Sequence, residues 1–142
     1  MPGFTNANDA AQYATAGNAT ITLSSRKTGA RYTYKIQAPK DKKNKNILFV
    51  KLLTGQDNEN DYEYLGMIRN DEFGLTKASK LTADTAPVKA MRYFVKHVFL
   101  NHAIPTDLEI RHEGSCGRCG RTLTVPESLD RGIGPECANK MN

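Results

Sequence analysis

Every cysteine in this chain lies in one short C-terminal stretch: Cys116, Cys119 and Cys137. An odd number of thiols cannot form a closed disulfide framework. Two of them, spaced Cys-x-x-Cys with a third downstream, match metal-ligand spacing. In Cys116-Gly-Arg-Cys119 the two sulfurs can grip one ion, and Gly117 and Gly120 ease the tight turns around it. Structural zinc prefers four tetrahedral nitrogen or sulfur ligands, so three cysteines leave one position to fill. His112, four residues before Cys116, is the first candidate, with His102, Glu113 or a water as alternatives. Cys137 follows Gly134-Pro135-Glu136, which reads as the first turn of a closing helix, where the positive end of the helix dipole favours a thiolate. A knuckle, a hairpin and a ligand on a terminal helix make up a treble-clef-like module holding one structural Zn²⁺.

The rest of the chain is patterned for an antiparallel sheet. Ile21 and Leu23 alternate with Thr and Ser, Lys27-Thr28-Gly29 supplies a turn, and Tyr32, Tyr34 and Ile36 alternate again. Ile47 to Leu53 is nearly continuous apolar sequence, as in a central strand. Tyr62 to Ile68 reads as a further strand, Asn70-Asp71 as a turn, and Phe73 to Thr76 as a weaker strand. Thr85 and Pro87 mark a helix start. Val88, Met91, Val95, Val98 and Phe99 then form its apolar stripe, and Pro105 prevents continuation beyond about His102. The fold class expected is α+β: an antiparallel meander of four or five strands packed with one helix, then the zinc module. Three segments follow: residues 1–18, poor in large apolar side chains, as a disordered tail; 19–108 as the α+β domain; and 109–142 as the zinc-binding module.

The segment from His112-Glu-Gly-Ser-Cys-Gly-Arg-Cys-Gly-Arg-Thr-Leu-Thr-Val-Pro-Glu-Ser to Gly-Ile-Gly-Pro-Glu-Cys-Ala resembles an uncharacterised family of small zinc-finger-like proteins encoded mainly by bacteriophages and prophages. The resemblance covers about residues 111–139. It implies a phage origin and ligation by Cys116, Cys119, Cys137 and His112, and carries no activity. Pro126-Glu127-Ser128 reads as a capped turn or, with Arg118, Arg121 and Arg131, as an edge that contacts a partner.

Charge is distributed unevenly. Between Arg26 and Lys51 there are nine basic residues and one acid, whereas Asp57 to Glu72 holds six acids and one base. The zinc segment is near neutral once thiolates and ion are included, a poor footprint for a finger that reads DNA. A nucleic-acid surface, if there is one, falls on the sheet: Arg31, Tyr32, Tyr34 and Lys35 as a stacking face bordered by cations, with the loop lysines Lys40, Lys42, Lys43 and Lys45. Alternation favours a different use of the tyrosines, covering the core while Arg31, Thr33 and Lys35 face water.

No phosphate loop, nucleophile motif or His-Glu-x-x-His pattern is present. No apolar run reaches the roughly 20 residues of a membrane span, and residues 1–18 lack the pattern of a secretory signal, which leads to an expected cytoplasmic (host-cell) location. The function expected is that of a non-enzymatic zinc-binding phage accessory protein. It would bind a host or phage macromolecule, a protein first, inhibition of a host defence or nucleic-acid-processing system being one form of such binding. The alternative is nucleic-acid binding through the basic sheet face.

Overall fold

The computed structural model describes residues 3–40, 46–57, 59–123 and 126–141. The alternating segments become β1 (Asn18–Ser25), β2 (Arg31–Gln37), β3 (Ile47–Leu53), β4 (Tyr62–Arg69) and β5 (Glu72–Gly74). They form the antiparallel meander expected. A sixth strand, β6 (Leu108–His112), returns to pair with β1, giving the order β5-β4-β3-β2-β1-β6. The β4–β5 connection is a two-residue turn in which Asn70 and Asp71 both take positive φ, 52° and 62°. That backbone matches the right-handed twist of a tight hairpin, and Asn and Asp tolerate it.

Tyr34, Ile36 and Val50 are buried on one face of the sheet, together with Ile21 and Leu23. Helix α2 (Ala86–Phe94) covers that face, running directly into a π-helical segment, Val95–Leu100. Thr85 takes the N-cap position with extended backbone, but its hydroxyl donates to the Thr82 carbonyl instead of capping the helix. Val88, Met91, Phe94, Val95, Val98 and Phe99 are buried against the sheet. His102, at φ 53°, turns the chain away from the helix before Pro105. Among the described residues no helix is long and apolar enough to cross a membrane.

The N-terminal segment differs from the tail expected for residues 1–18. Ala7–Ala14 form helix α1, in which Ala10, Tyr13 and Ala14 are buried. Asn6 caps it, its Oδ1 accepting the N–H groups of Asn8 (2.8 Å) and Asp9 (3.2 Å). Ahead of the helix, Gly3 bridges to Arg111, and Phe4 N–H donates to the Ile110 carbonyl at 2.8 Å, covering the outer edge of β6. Composition misleads here because alanine has high helix propensity and two aromatic rings, Phe4 and Tyr13, supply most of the anchoring surface. Short helices α3 (Pro126–Arg131) and α4 (Pro135–Met141) close the chain.

Candidate metal centre

The C-terminal segment builds its site from hydrogen bonds between turns. Cys116 N–H donates to the Arg121 carbonyl (2.8 Å), Gly120 N–H to the Cys116 carbonyl (2.8 Å) and Leu123 N–H to the Gly114 carbonyl (2.9 Å). With the Ser115–Thr122 bridge, these close a tight knuckle whose reversal uses positive φ at Gly114 and Gly120. Cys137 enters from the first turn of α4. The three Sγ atoms lie within 4.8 Å of one another. Tetrahedral zinc with sulfur at about 2.3 Å calls for sulfur separations of about 3.8 Å, so the donor set fits one such ion with small side-chain adjustments.

Protonation also suits a metal. Burial pushes the Cys116 thiol up, but N–H groups of Gly134, Cys119 and Arg118 directed at it more than offset this, and it sits at about 7. The Arg118 N–H lies 3.4 Å from the sulfur. Burial and the two neighbouring sulfurs raise the Cys137 thiol, a repulsion that a divalent cation would cancel. Cys116 and Cys137 are buried and Cys119 is exposed, so the cluster opens to solvent on the Cys119 side.

The structure does not bring His112 to these sulfurs. Among the described residues no His, Asp or Glu joins the three-cysteine group, which leaves His102 and Glu113 outside it as well. His112 is fully buried on β6, opposite Ile21 of β1. Its Nδ1 accepts the Gly114 N–H (3.0 Å), and its Nε2 lies 2.5 Å from the Leu129 carbonyl of α3. That pairing assigns the proton to Nε2. Phe4 and Tyr13 enclose the imidazole, with ring centroids 5.1 and 5.2 Å away. Burial lowers its pKa below 6.5, against the opposing Leu129 hydrogen bond. Four-residue spacing brought His112 into the candidate ligand set. Two rings from the other end of the chain and a carbonyl from α3 determine where it points.

The knuckle rests on α1. A Cβ on Gly117 would come within 2.6 Å of the Tyr13 ring, and one on Gly132, which also has φ 73°, within 2.5 Å. Asn18 N–H donates to the Gly117 carbonyl at 2.7 Å, and Gly117 N–H to the Gly132 carbonyl at 2.7 Å. The Arg131 guanidinium donates to Gln12 Oε1 at 2.7 Å. These supporting residues from the N-terminal segment escaped the sequence reading. Their available signal was Asn6 followed by Asp9 and an alanine-rich run, a helix-start pattern.

The expected stacking face does not assemble as one surface. Tyr34 is fully buried, and its hydroxyl donates to the Pro87 carbonyl of α2 at 2.8 Å. Tyr32 is half-buried on the same face and lines a cleft beside α2. Arg31, Thr33 and Lys35 point to the other face, as alternation favoured. Lys35 is held within the molecule, its Nζ 4.4 Å from the Tyr62 ring centre and bonded to the Glu59 carbonyl at 3.3 Å. Arg31 and Lys40 are exposed. Lys42, Lys43 and Lys45 lie outside the described residues. Arg118 is exposed, and Arg121 pairs with Glu136 at 3.7 Å, both strongly exposed.

No curated protein and no solved structure matches the chain. Residues 106–142, which span β6, the knuckle, α3 and α4, match a family of unknown function (DUF6011).

Proposed function

We propose that Cys116, Cys119 and Cys137 hold one zinc ion in a structural site, and that the protein is a non-enzymatic phage accessory protein that binds a host or phage protein. The observation carrying the zinc site is the convergence of three thiols from a knuckle and a helix start, with no carboxylate or imidazole joining them among the described residues. A hydrolytic zinc site needs a general base next to the metal-bound water, and among the described residues no carboxylate or imidazole joins the sulfurs. His112 acts as a positioning residue: it ties β6, the knuckle and α3 together. The phage origin rests on the resemblance of the His112–Ala138 motif. Nucleic-acid binding loses support because Tyr34 is buried and Lys35 is engaged within the molecule.

Metal analysis of the purified chain tests this reading. One zinc per chain is expected, and Cys116→Ser or Cys137→Ser should lose it together with a large part of the thermal stability. A chain that keeps its melting temperature with all three cysteines changed to serine would refute a structural site. Cobalt substitution addresses the fourth ligand. His112→Phe should leave the ligand-field spectrum of the bound cobalt unchanged, whereas a shift would return His112 to the coordination shell. Affinity capture with the metal-loaded chain, compared with Cys116→Ser, tests for a macromolecular partner.

A further inference from the structure

We propose that the solvent face of α2 and the cleft beside it dock an acidic protein segment carrying an aromatic anchor residue. This assignment rests on the binding-protein reading above and supplies its surface. Along residues 86–100, Lys89, Arg92, Tyr93, Lys96 and Leu100 share the side turned away from the buried stripe. No acid occurs in this stretch. All three cations are exposed, and none is ion-paired among the described residues. A solvated helix usually mixes charges of both signs, so a one-sign stripe leaves a field for an anionic partner to complete.

The apolar part coincides with the charged part. Tyr93 (37% exposed) and Leu100 (48%) are the large hydrophobic side chains left exposed among the described residues, and both are on this face. Tyr93 forms one wall of a cleft of about 270 Å³, lined also by Leu23, Tyr32, Ala90 and Leu108, with Lys89 and Asp107 as its charged residues; the Asp107 carboxylate is occupied by the Tyr93 hydroxyl. Tyr93 is fixed before any partner arrives: its hydroxyl donates to Asp107 Oδ1 at 3.0 Å, and its ring centre is 4.4 Å from that of His97. A cavity of about 150 Å³ accepts benzene, so this cleft has room for a phenol or indole ring. Rigid aromatic walls beside exposed cations are the composition of an interface hot spot. A nucleobase suits the cleft less well, because its polar edge would face mainly aliphatic and aromatic walls.

Fluorescence anisotropy with two dye-labelled pentapeptides, Asp-Glu-Trp-Glu-Asp and the same peptide with a central Ala, tests the proposal on the metal-loaded full chain. The Trp peptide should bind about tenfold tighter than the Ala peptide, and both should weaken as salt rises. Ala90→Phe, which fills the cleft, should abolish the preference for Trp while sparing the charge-driven remainder. Lys89→Glu combined with Lys96→Glu should remove binding of both peptides. Equal affinity for the two peptides, absence of binding, or an Ala90→Phe variant that keeps the preference would overturn the proposal. Oligothymidylate that displaces the Trp peptide from the native chain, and binds Ala90→Phe poorly, would assign the cleft to a base instead. Those failures concern this face alone. The binding-protein reading fails separately, if the metal-loaded chain captures no partner through any surface.

Discussion

His112 and Cys116 stand four residues apart and do different physical work. The Cys116 sulfur is stabilised as a thiolate by N–H groups that converge on it, a local effect of the knuckle. His112 is kept neutral by burial between Phe4 and Tyr13 and by donating and accepting one hydrogen bond each. The consequence for pH has a definite sign. Burial lowers the folded-state pKa of His112, while the unfolded chain protonates the imidazole near 6.5. Below that pH the unfolded state binds more protons, so the stabilisation is fully present above about 6.5 and declines as pH falls through the lowered folded value. Urea unfolding of the native chain and of His112→Phe from pH 8 to pH 5 checks this. The variant should be about 1–3 kcal/mol less stable at pH 8, because Gly114 N–H and the Leu129 carbonyl lose their partner. The gap should narrow with acidification, whereas a constant gap would mean that the imidazole does not titrate on unfolding.

At the scale of elements, α1 completes the sheet as well as packing on it. β6 pairs with β1 only as far as Ile21, opposite His112. At the next residue, Thr20, the Tyr13 hydroxyl takes the place of a neighbouring strand, donating to the Thr20 carbonyl (2.7 Å) and accepting its N–H (2.8 Å). Both partners are buried. Tyr13→Phe keeps the ring that touches Gly117 and Gly132 but leaves two buried backbone groups unpaired. It should therefore destabilise the protein by about 2–4 kcal/mol in denaturant titrations. A change below about 0.5 kcal/mol would show that water replaces the hydroxyl without penalty. The strands and α2 were legible because alternation and helical spacing report directly which side is buried. Helix α1 was not, because its case rests on one tyrosine whose partners, Thr20, Gly117 and Gly132, belong to three separate segments.

Taken as a whole, the C-terminal module is tied to the N-terminal segment and to the main sheet. Its knuckle leans on Tyr13, its α3 is linked to Gln12 through Arg131, and its first strand is the edge strand of the main sheet. Loss of metal should therefore be felt at the N-terminus. On treatment with a strong chelator, hydrogen exchange should lose protection over residues 3–18 and 112–123 together, while Ile47–Leu53 of β3 and Tyr62–Arg69 of β4 keep theirs. Continued protection of 3–18 after 112–123 has opened would show that the two are held independently.

The sequence by itself determined the three sulfur donors, a meander of four or five strands and the buried stripe of α2. Each of these depends on spacing within a few residues, and local spacing is written into the chain. Only the tertiary structure decided that residues 3–17 are ordered, that β6 joins the sheet, and that His112 faces rings instead of the sulfurs. Each of those outcomes depends on a partner far away in sequence: Phe4 and Tyr13 meet His112, Arg131 meets Gln12, and Ile110 pairs with Leu23. Such encounters follow from how the sheet and helices pack, and a one-dimensional pattern holds no record of them until the chain has closed.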